Sequence, residues 1–302
     1  MSSLAYNLFS STSLISLGLY HLISATRNYL KSPQSYSAKP YHPLPLASSS
    51  RLKHLHLYFL ITCLLISFTH QTLISTDSDP LLKGRTPVHR FTSLQASALL
   101  FLFLVVSLAL LLSESTSLLP LPSDLFFALA AALFFLQYTV STSAASVQTS
   151  DLEAKCDDIF ARVSFLIAFL CLILAFQPRF FIADVGLGGA FCLLGFWVLQ
   201  TGLSLYVEAF IPEGCHRLLD VVSGVEGSTK CDIEESKLRA VAILDLMFVI
   251  HVMFVVVIVM VIYGVVAKNV GIRRHGSYEA LPTSAVADTN HIQMKALAGT
   301  QA

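Results

Sequence analysis

Six polar side chains lie inside strongly apolar stretches of the sequence, and these are the residues best placed to do chemistry. They are His70, Gln95, Gln137, Gln200, Asp245 and His251. The first five fall at similar depth, in the middle or outer half of their predicted helices. Such a layer predicts either a polar cavity, open to the outside and able to hold a small ligand or a proton, or structural hydrogen bonds between helices.

Asp245 and His251 lie in the same apolar stretch, six residues apart. That spacing separates them by about 240° around a helix, so they cannot share one face. An unpaired carboxylate at such a position would be costly. Asp245 is therefore expected to be protonated, solvated or bonded to a donor, with Gln200 and His70 as candidates.

The six cysteines divide into two groups. Three lie in apolar runs, where they behave as small core residues: Cys63, Cys171 and Cys192. The others lie in predicted loops, on the side assigned below to an oxidising compartment. Cys215 and Cys231 are predicted to form a disulfide, which would stabilise their loop by about 3 kcal/mol, and Cys156 is the competing partner.

Two further patterns each allow two interpretations. His21 and His56 lie at similar depth and could pair to hold a haem, although side chains reaching from the bilayer to water explain them more simply. Gly188, Gly195 and Gly202 recur every seven residues, which suits close helix packing inside a bundle or a dimer interface.

No motif of soluble catalysis or zinc binding occurs in the sequence. The protein is therefore predicted not to be an enzyme and to need no metal and no cofactor. The formal net charge is zero, which gives no reason to expect a nucleic-acid partner.

The elements that must position these residues are membrane-spanning helices. Of the 302 residues, 55% are hydrophobic and 13% are charged, about half the charged fraction usual in soluble domains. The pattern predicts an all-α polytopic bundle, with the lipid bilayer as its main partner and an acidic loop between the fourth and fifth helices. The seven predicted helices are about 4–24, 55–75, 91–112, 125–145, 159–176, 182–210 and 240–267.

Basic residues predict the orientation of this bundle. The linker 25–53 is basic and contains no acid, and the tail after residue 267 carries Lys268, Arg273 and Arg274. Both segments are therefore predicted to be cytoplasmic, with the amino terminus outside. The chain then divides into a seven-helix domain, 1–267, and a disordered cytoplasmic tail, 268–302.

The tail contains a candidate sorting signal, Tyr278-Glu-Ala-Leu281. An aromatic and a bulky apolar residue separated by two positions suit a short extended peptide whose Tyr278 and Leu281 enter separate pockets. A cytosolic sorting adaptor is therefore a possible partner.

Three segments resemble one family: Gly18-Leu-Tyr-His, Phe196-Trp-x-x-Gln200-x-Gly202 and Ile211-Pro-Glu-Gly-Cys-His-Arg. They are similar to the transmembrane protein 45 family, and the last segment, together with Cys231, resembles its plant-type members. The resemblance implies a multi-pass protein of the endomembrane system or plasma membrane whose molecular activity is not established. Plant members are associated with responses to viruses, which suggests a stress or defence role.

The sequence and the resemblance together predict a non-catalytic membrane component that acts in trafficking, scaffolding or stress response. The alternative is a small-solute or proton-coupled transporter that uses the outward-facing polar layer.

Overall fold

Seven long α-helices make up most of the described part of the chain. The computed structural model describes residues 3–43, 53–76, 88–116, 119–148, 150–219 and 226–270. The helices are α1 Ser3–Lys31, α2 Leu55–Thr76, α3 Val88–Ser115, α4 Ser123–Val147, α5 Asp151–Phe176, α6 Phe181–Tyr206 and α7 Glu234–Val270. All seven are long and apolar enough to cross a bilayer. The predicted fold, a polytopic membrane bundle of seven helices, is confirmed.

Several helices extend beyond their predicted ends, because charged residues that the pattern places in loops continue the helices. α1 continues to Lys31, and α7 begins at Glu234 rather than 240. A helix that leaves the hydrocarbon can keep its backbone hydrogen bonds while water solvates its charged side chains. α6, in contrast, ends at Tyr206, and residues up to Phe210 form a separate 3-10 turn.

The predicted acidic loop before α5 is wrong, since these residues form the first turns of the helix itself. Ser150 caps α5 by accepting a hydrogen bond from the backbone N–H of Glu153 at 3.4 Å. Asp151 and Glu153 lie in the first turn, where negative charge favours the positive end of the helix dipole.

The bundle is organised around α6. Most of α6 is buried, whereas the apolar stretch of α7 has almost no fully buried residues and is available to lipid. α6 packs most extensively against α1, while α4 packs against α5 and α2 against α3. The core also holds Trp197 of α6, which is fully buried and donates a hydrogen bond to the carbonyl of Cys156 at 3.0 Å.

Glycines bring α1 and α6 unusually close together. A Cβ added at Gly195 would lie 2.7 Å from Cγ1 and 2.9 Å from the backbone N of Ile15 in α1. Gly188 and Gly202 face α1 in the same way, and Gly18 of α1 approaches α6 equally closely. The glycine stripe therefore serves packing inside the bundle, one of the two interpretations that its spacing allowed.

The chain after α1 folds back onto the bundle. Tyr36, Ala38, Tyr41 and His42 are all buried, and the backbone N–H of Ala38 donates to the carbonyl of Pro178 in the α5–α6 turn at 2.6 Å. Residues 32–43 are thus part of the packed structure, at one end of the bundle. We call this end the linker end.

A β-hairpin lies between α6 and α7, at the opposite end. Its strands, β1 Cys215–Leu219 and β2 Glu226–Cys231, are antiparallel, and Cys215 is paired with Cys231. The same two cysteines form a disulfide. The predicted disulfide is therefore confirmed, and the competing cysteine, Cys156, is buried in α5 as a free thiol.

The hairpin is docked on the helices by its second strand. Thr229 is fully buried, and its hydroxyl donates to the carbonyl of Leu205 near the end of α6 at 3.1 Å. The hydroxyl of Ser150 donates to the carbonyl of Thr229. The residue that caps α5 therefore also holds the hairpin against the bundle.

We predict that Gly195→Ala destabilises the bundle by about 1–3 kcal/mol, because the new methyl group has no room beside the backbone of Ile15. The matched control is Gly264→Ala in α7, where a Cβ would meet no atom within 4 Å. Replacing a glycine inside an open helix should instead stabilise it by about 0.5–1 kcal/mol. Unfolding midpoints in detergent would test the pair, and equal shifts for both variants would contradict the prediction.

Candidate functional site

An elongated cavity of about 320 Å³ lies between α1 and α6 on one side and α2, α3 and α4 on the other. Along α1 it extends from Tyr6 to His21, fifteen residues, which corresponds to about 22 Å of helix. Leucine and phenylalanine side chains form about half of its lining. Such a shape and lining suit an elongated apolar ligand.

All three histidines and two of the three tyrosines that line this cavity lie at the linker end. They belong to α1, to residues 32–43 and to the start of α2, and they are Tyr20, His21, Tyr41, His42 and His56. We call these five residues the polar end of the cavity. Elsewhere the polar lining consists mainly of serines, with Tyr6 and Gln137.

Asp184 lies directly behind the polar end and is fully buried. The His21 Nε2 donates to its Oδ1 at 2.8 Å, and the Tyr36 hydroxyl donates to its Oδ2. We call Asp184, His21 and Tyr36 the Asp184 cluster. Both carboxylate oxygens therefore have a donor, as a buried carboxylate requires. Burial, and next the Asp184 carboxylate, raise the pKa of Tyr36, so its hydroxyl remains protonated.

His42 contributes a second imidazole, and its ring centre lies 5.7 Å from that of His21. The Asn28 amide donates to Nδ1 of His42 at 3.1 Å, which places the proton of the neutral ring on Nε2. Burial, followed by the nearby His21 and Lys39, lowers the pKa of His42 to about 4, although Asp184 opposes this shift. His42 is therefore neutral near pH 7.

Among the five residues of the polar end, one ring nitrogen has no partner in the described part of the chain. His42 is only 6% exposed, and its Nε2 makes no hydrogen bond within the described part of the chain. The Tyr20 hydroxyl fixes the backbone here by donating to the carbonyl of His42. His42 therefore places a buried, unpartnered donor beside the polar end of the cavity.

The structure does not bring the six residues predicted from the sequence into one layer around a cavity. Gln137 lines the cavity, but the other five do not belong to its described lining. Gln137 donates to Ser141 and Gln200 donates to Ser204, each at 2.9 Å and one turn along the same helix. Residues at similar depth in the bilayer therefore point in different directions, because each side chain projects from a different face of its own helix.

His70, His251 and Gln95 also have separate surroundings. His70 stacks on Tyr6 with ring centres 4.4 Å apart, and Gln95 is exposed. His251 donates from Nδ1 to the carbonyl of Met247 at 2.6 Å and packs beside Trp197. These three side chains therefore do not share a site in the described part of the chain.

Asp245 forms an ion pair with Lys155, which was not among its predicted partners. Its Oδ1 lies 2.8 Å from Nζ of Lys155 in α5, and its side chain is 54% exposed. Lys237, two turns earlier in α7, lies 3.2 Å from the Asp151 carboxylate. The expected partners Gln200 and His70 are wrong, and Asp245 instead belongs to a row of ion pairs between α5 and α7.

His21 and His56, the pair considered for haem, each contact another residue. His21 is bonded to Asp184, and His56 stacks on Tyr20 with ring centres 4.3 Å apart. His21 is only 7% exposed, so it is a core residue and not one that reaches out to water. Within the described ranges, no three His, Cys, Asp or Glu side chains form a group that could hold a metal ion.

Sequence reasoning missed Asp184, Tyr36 and His42 as site residues. The available signal for Asp184 was an acid placed within the first turn of an apolar helix. The linker offered three tyrosines and a histidine in a short segment, an unusual density of aromatic polar groups. Neither signal indicated that the two segments meet.

The fold and the site define an integral membrane protein with an apolar cavity inside its helix bundle. Residues 123–264 match a family of unknown function (DUF716). The matched segment runs from α4 into α7 and includes Asp184 and the disulfide hairpin. No curated protein matches the chain.

We predict that Asp184→Leu destabilises the protein by roughly 3–5 kcal/mol, because it leaves His21 and Tyr36 buried without their acceptor. Asp184→Asn, which keeps an acceptor oxygen, should cost less. Asp245→Leu is the matched control, since it removes a half-exposed ion pair worth at most about 1 kcal/mol. Unfolding midpoints of the purified variants would test this order, and a larger loss at Asp245 would contradict it.

Proposed function

We propose that this protein is a non-catalytic membrane protein that binds an amphipathic, lipid-like molecule inside its helix bundle. The elongated cavity with apolar walls and one polar end is the observation that carries this proposal. Its volume of about 320 Å³ is at the lower end of the usual range for ligand sites. An apolar chain would lie along α1, and the polar group of the ligand would reach the polar end.

The use of the polar groups supports a binding role over a catalytic one. The Nε2 of His21 is bonded to the Asp184 carboxylate, so this nitrogen helps to hold the site together and is not available to a group in the cavity. The second Asp184 oxygen is occupied by Tyr36. The Asp184 cluster fixes the shape of the site, and the neutral His42 offers a donor to a ligand.

A lipid-binding membrane component suits a role in trafficking, scaffolding or stress response. The resemblance to plant-type members of the transmembrane protein 45 family supports this assignment and a location in the endomembrane system or plasma membrane. The sorting residues Tyr278 and Leu281 lie outside the described residues. Recognition of the tail by a cytosolic adaptor stays a prediction.

A second candidate is proton-coupled transport of a small solute. The observation that favours it is the buried Asp184–His21 pair, with the His42 ring 5.7 Å further on beside the cavity. A proton moving along this row would require His42 to be protonated, against its lowered pKa. Proton flux into vesicles that contain the purified protein would separate transport from binding.

We also infer that the amino terminus is outside and that the carboxyl terminus is cytoplasmic. The disulfide supports this orientation, because disulfides persist in oxidising compartments and the hairpin lies at the end opposite the basic linker.

Thiol labelling would test the orientation, since the free cysteines are all buried: Cys63, Cys156, Cys171 and Cys192. After reduction, a membrane-impermeant maleimide should label the hairpin in microsomes only when they are permeabilised. The Cys215→Ser/Cys231→Ser double variant controls for background labelling. Equal labelling of sealed microsomes would place the hairpin in the cytoplasm.

Lipid retention by the purified protein would test the proposed function. Ala130 lines the cavity, so Ala130→Phe should fill part of it and reduce the lipid that survives purification. Ala128→Phe is the matched control, since Ala128 is exposed on the same helix, α4. Mass spectrometry of extracted lipid should show about one molecule per protein for the wild type and Ala128→Phe. Equal amounts in both variants, at equal folded yield, would contradict the proposal.

A further inference from the structure

We infer that the ligand of the cavity is a neutral, single-chain lipid whose polar end carries an accepting oxygen, and that Nε2 of His42 donates the hydrogen bond that recognises it. This inference rests on the proposed function. It adds the chemical class of the ligand and a specificity-determining residue.

The first argument is the unpartnered donor. The side chain of His42 lines the cavity and is 6% exposed, and its Nε2 has no hydrogen-bond partner among the described atoms. The Asn28 amide donates to the other ring nitrogen, so Nε2 carries the proton. A buried donor without an acceptor costs free energy, and a ligand oxygen at this position would remove that cost.

The second argument is charge. The described residues that line the cavity include no lysine and no arginine, and Lys39 is exposed and outside the lining. The Asp184 carboxylate lies behind the polar end, and its two oxygens already accept from His21 and Tyr36. A carboxylate or phosphate headgroup would lose its hydration here without gaining a cation. A hydroxyl or carbonyl group needs only one hydrogen bond, which His42 supplies.

The third argument is shape. The cavity follows α1 from Tyr6 to His21, about 22 Å, within a volume of about 320 Å³. A volume this small, spread over this length, suits one extended hydrocarbon chain better than a fused ring system. Its apolar wall would be in contact with the chain along its length.

Two photoreactive probes of equal chain length would test the inference: a diazirine-bearing long-chain alcohol and the corresponding fatty acid. The purified full-length protein should be labelled about tenfold more by the alcohol than by the acid. His42→Leu should lower alcohol labelling up to about tenfold, the effect of losing one net hydrogen bond. His42→Gln keeps an N–H donor and should retain most of the labelling.

His251→Leu is the control variant, because His251 bonds to Met247 within α7 and lies outside the described cavity lining. Its labelling should match the wild type. Preference for the acid, or labelling that does not depend on the residue at position 42, would overturn the inference. If His42→Leu does not fold, the probe preference of the wild type and of His42→Gln still decides.

The same experiment separates this inference from the proposed function. If Ala130→Phe abolishes labelling by both probes while position 42 has no effect, the cavity binds lipid and the assignment of His42 is wrong. If neither probe labels the wild type above the level of Ala130→Phe, both the inference and the proposed function fail.

Discussion

The structure depends on how one buried carboxylate obtains its hydrogen bonds. Asp184 has no contact with solvent, and its donors come from α1 through His21 and from the following segment through Tyr36. Burying a carboxylate without donors would cost far more free energy than a single hydrogen bond contributes to stability. Its burial therefore requires α6, α1 and residues 32–43 to be held together at the linker end. The same requirement fixes the polar end of the cavity.

The close contact between α1 and α6 determines where the cavity can form. Gly18 lies against α6 almost at backbone contact, so this face of α1 leaves no space for a ligand. Tyr20 and the residues one and two turns before it line the cavity, across from α2 and α4. α1 is thus tightly packed on one side and separated from its neighbours on the other. The glycines fix the position of α1, and the larger side chains on its other face form the cavity wall.

The helices could be predicted from the sequence, and the site could not. Apolar length defines a spanning segment locally, and the disulfide followed from two cysteines in one short loop. The site depends on contacts between residues far apart in the chain, since Asp184 lies 163 residues after His21 and 148 after Tyr36. The depth of a residue along its helix can be predicted from the sequence. The direction in which its side chain points around the helix axis is set by packing. For this reason Gln137 reaches the cavity while Gln95, at similar predicted depth, is exposed.

The residues of the site come from two parts of the chain: the segment that matches the family of unknown function, and the part that precedes it. The segment that matches the family of unknown function supplies Asp184 and the cavity wall from α4, α5 and α6. His21, Tyr36 and His42 all precede that segment. The matched part alone would leave the carboxylate without the donors described here and would leave one side of the cavity open. The amino-terminal part supplies both, so the proposed ligand site depends on residues outside the match.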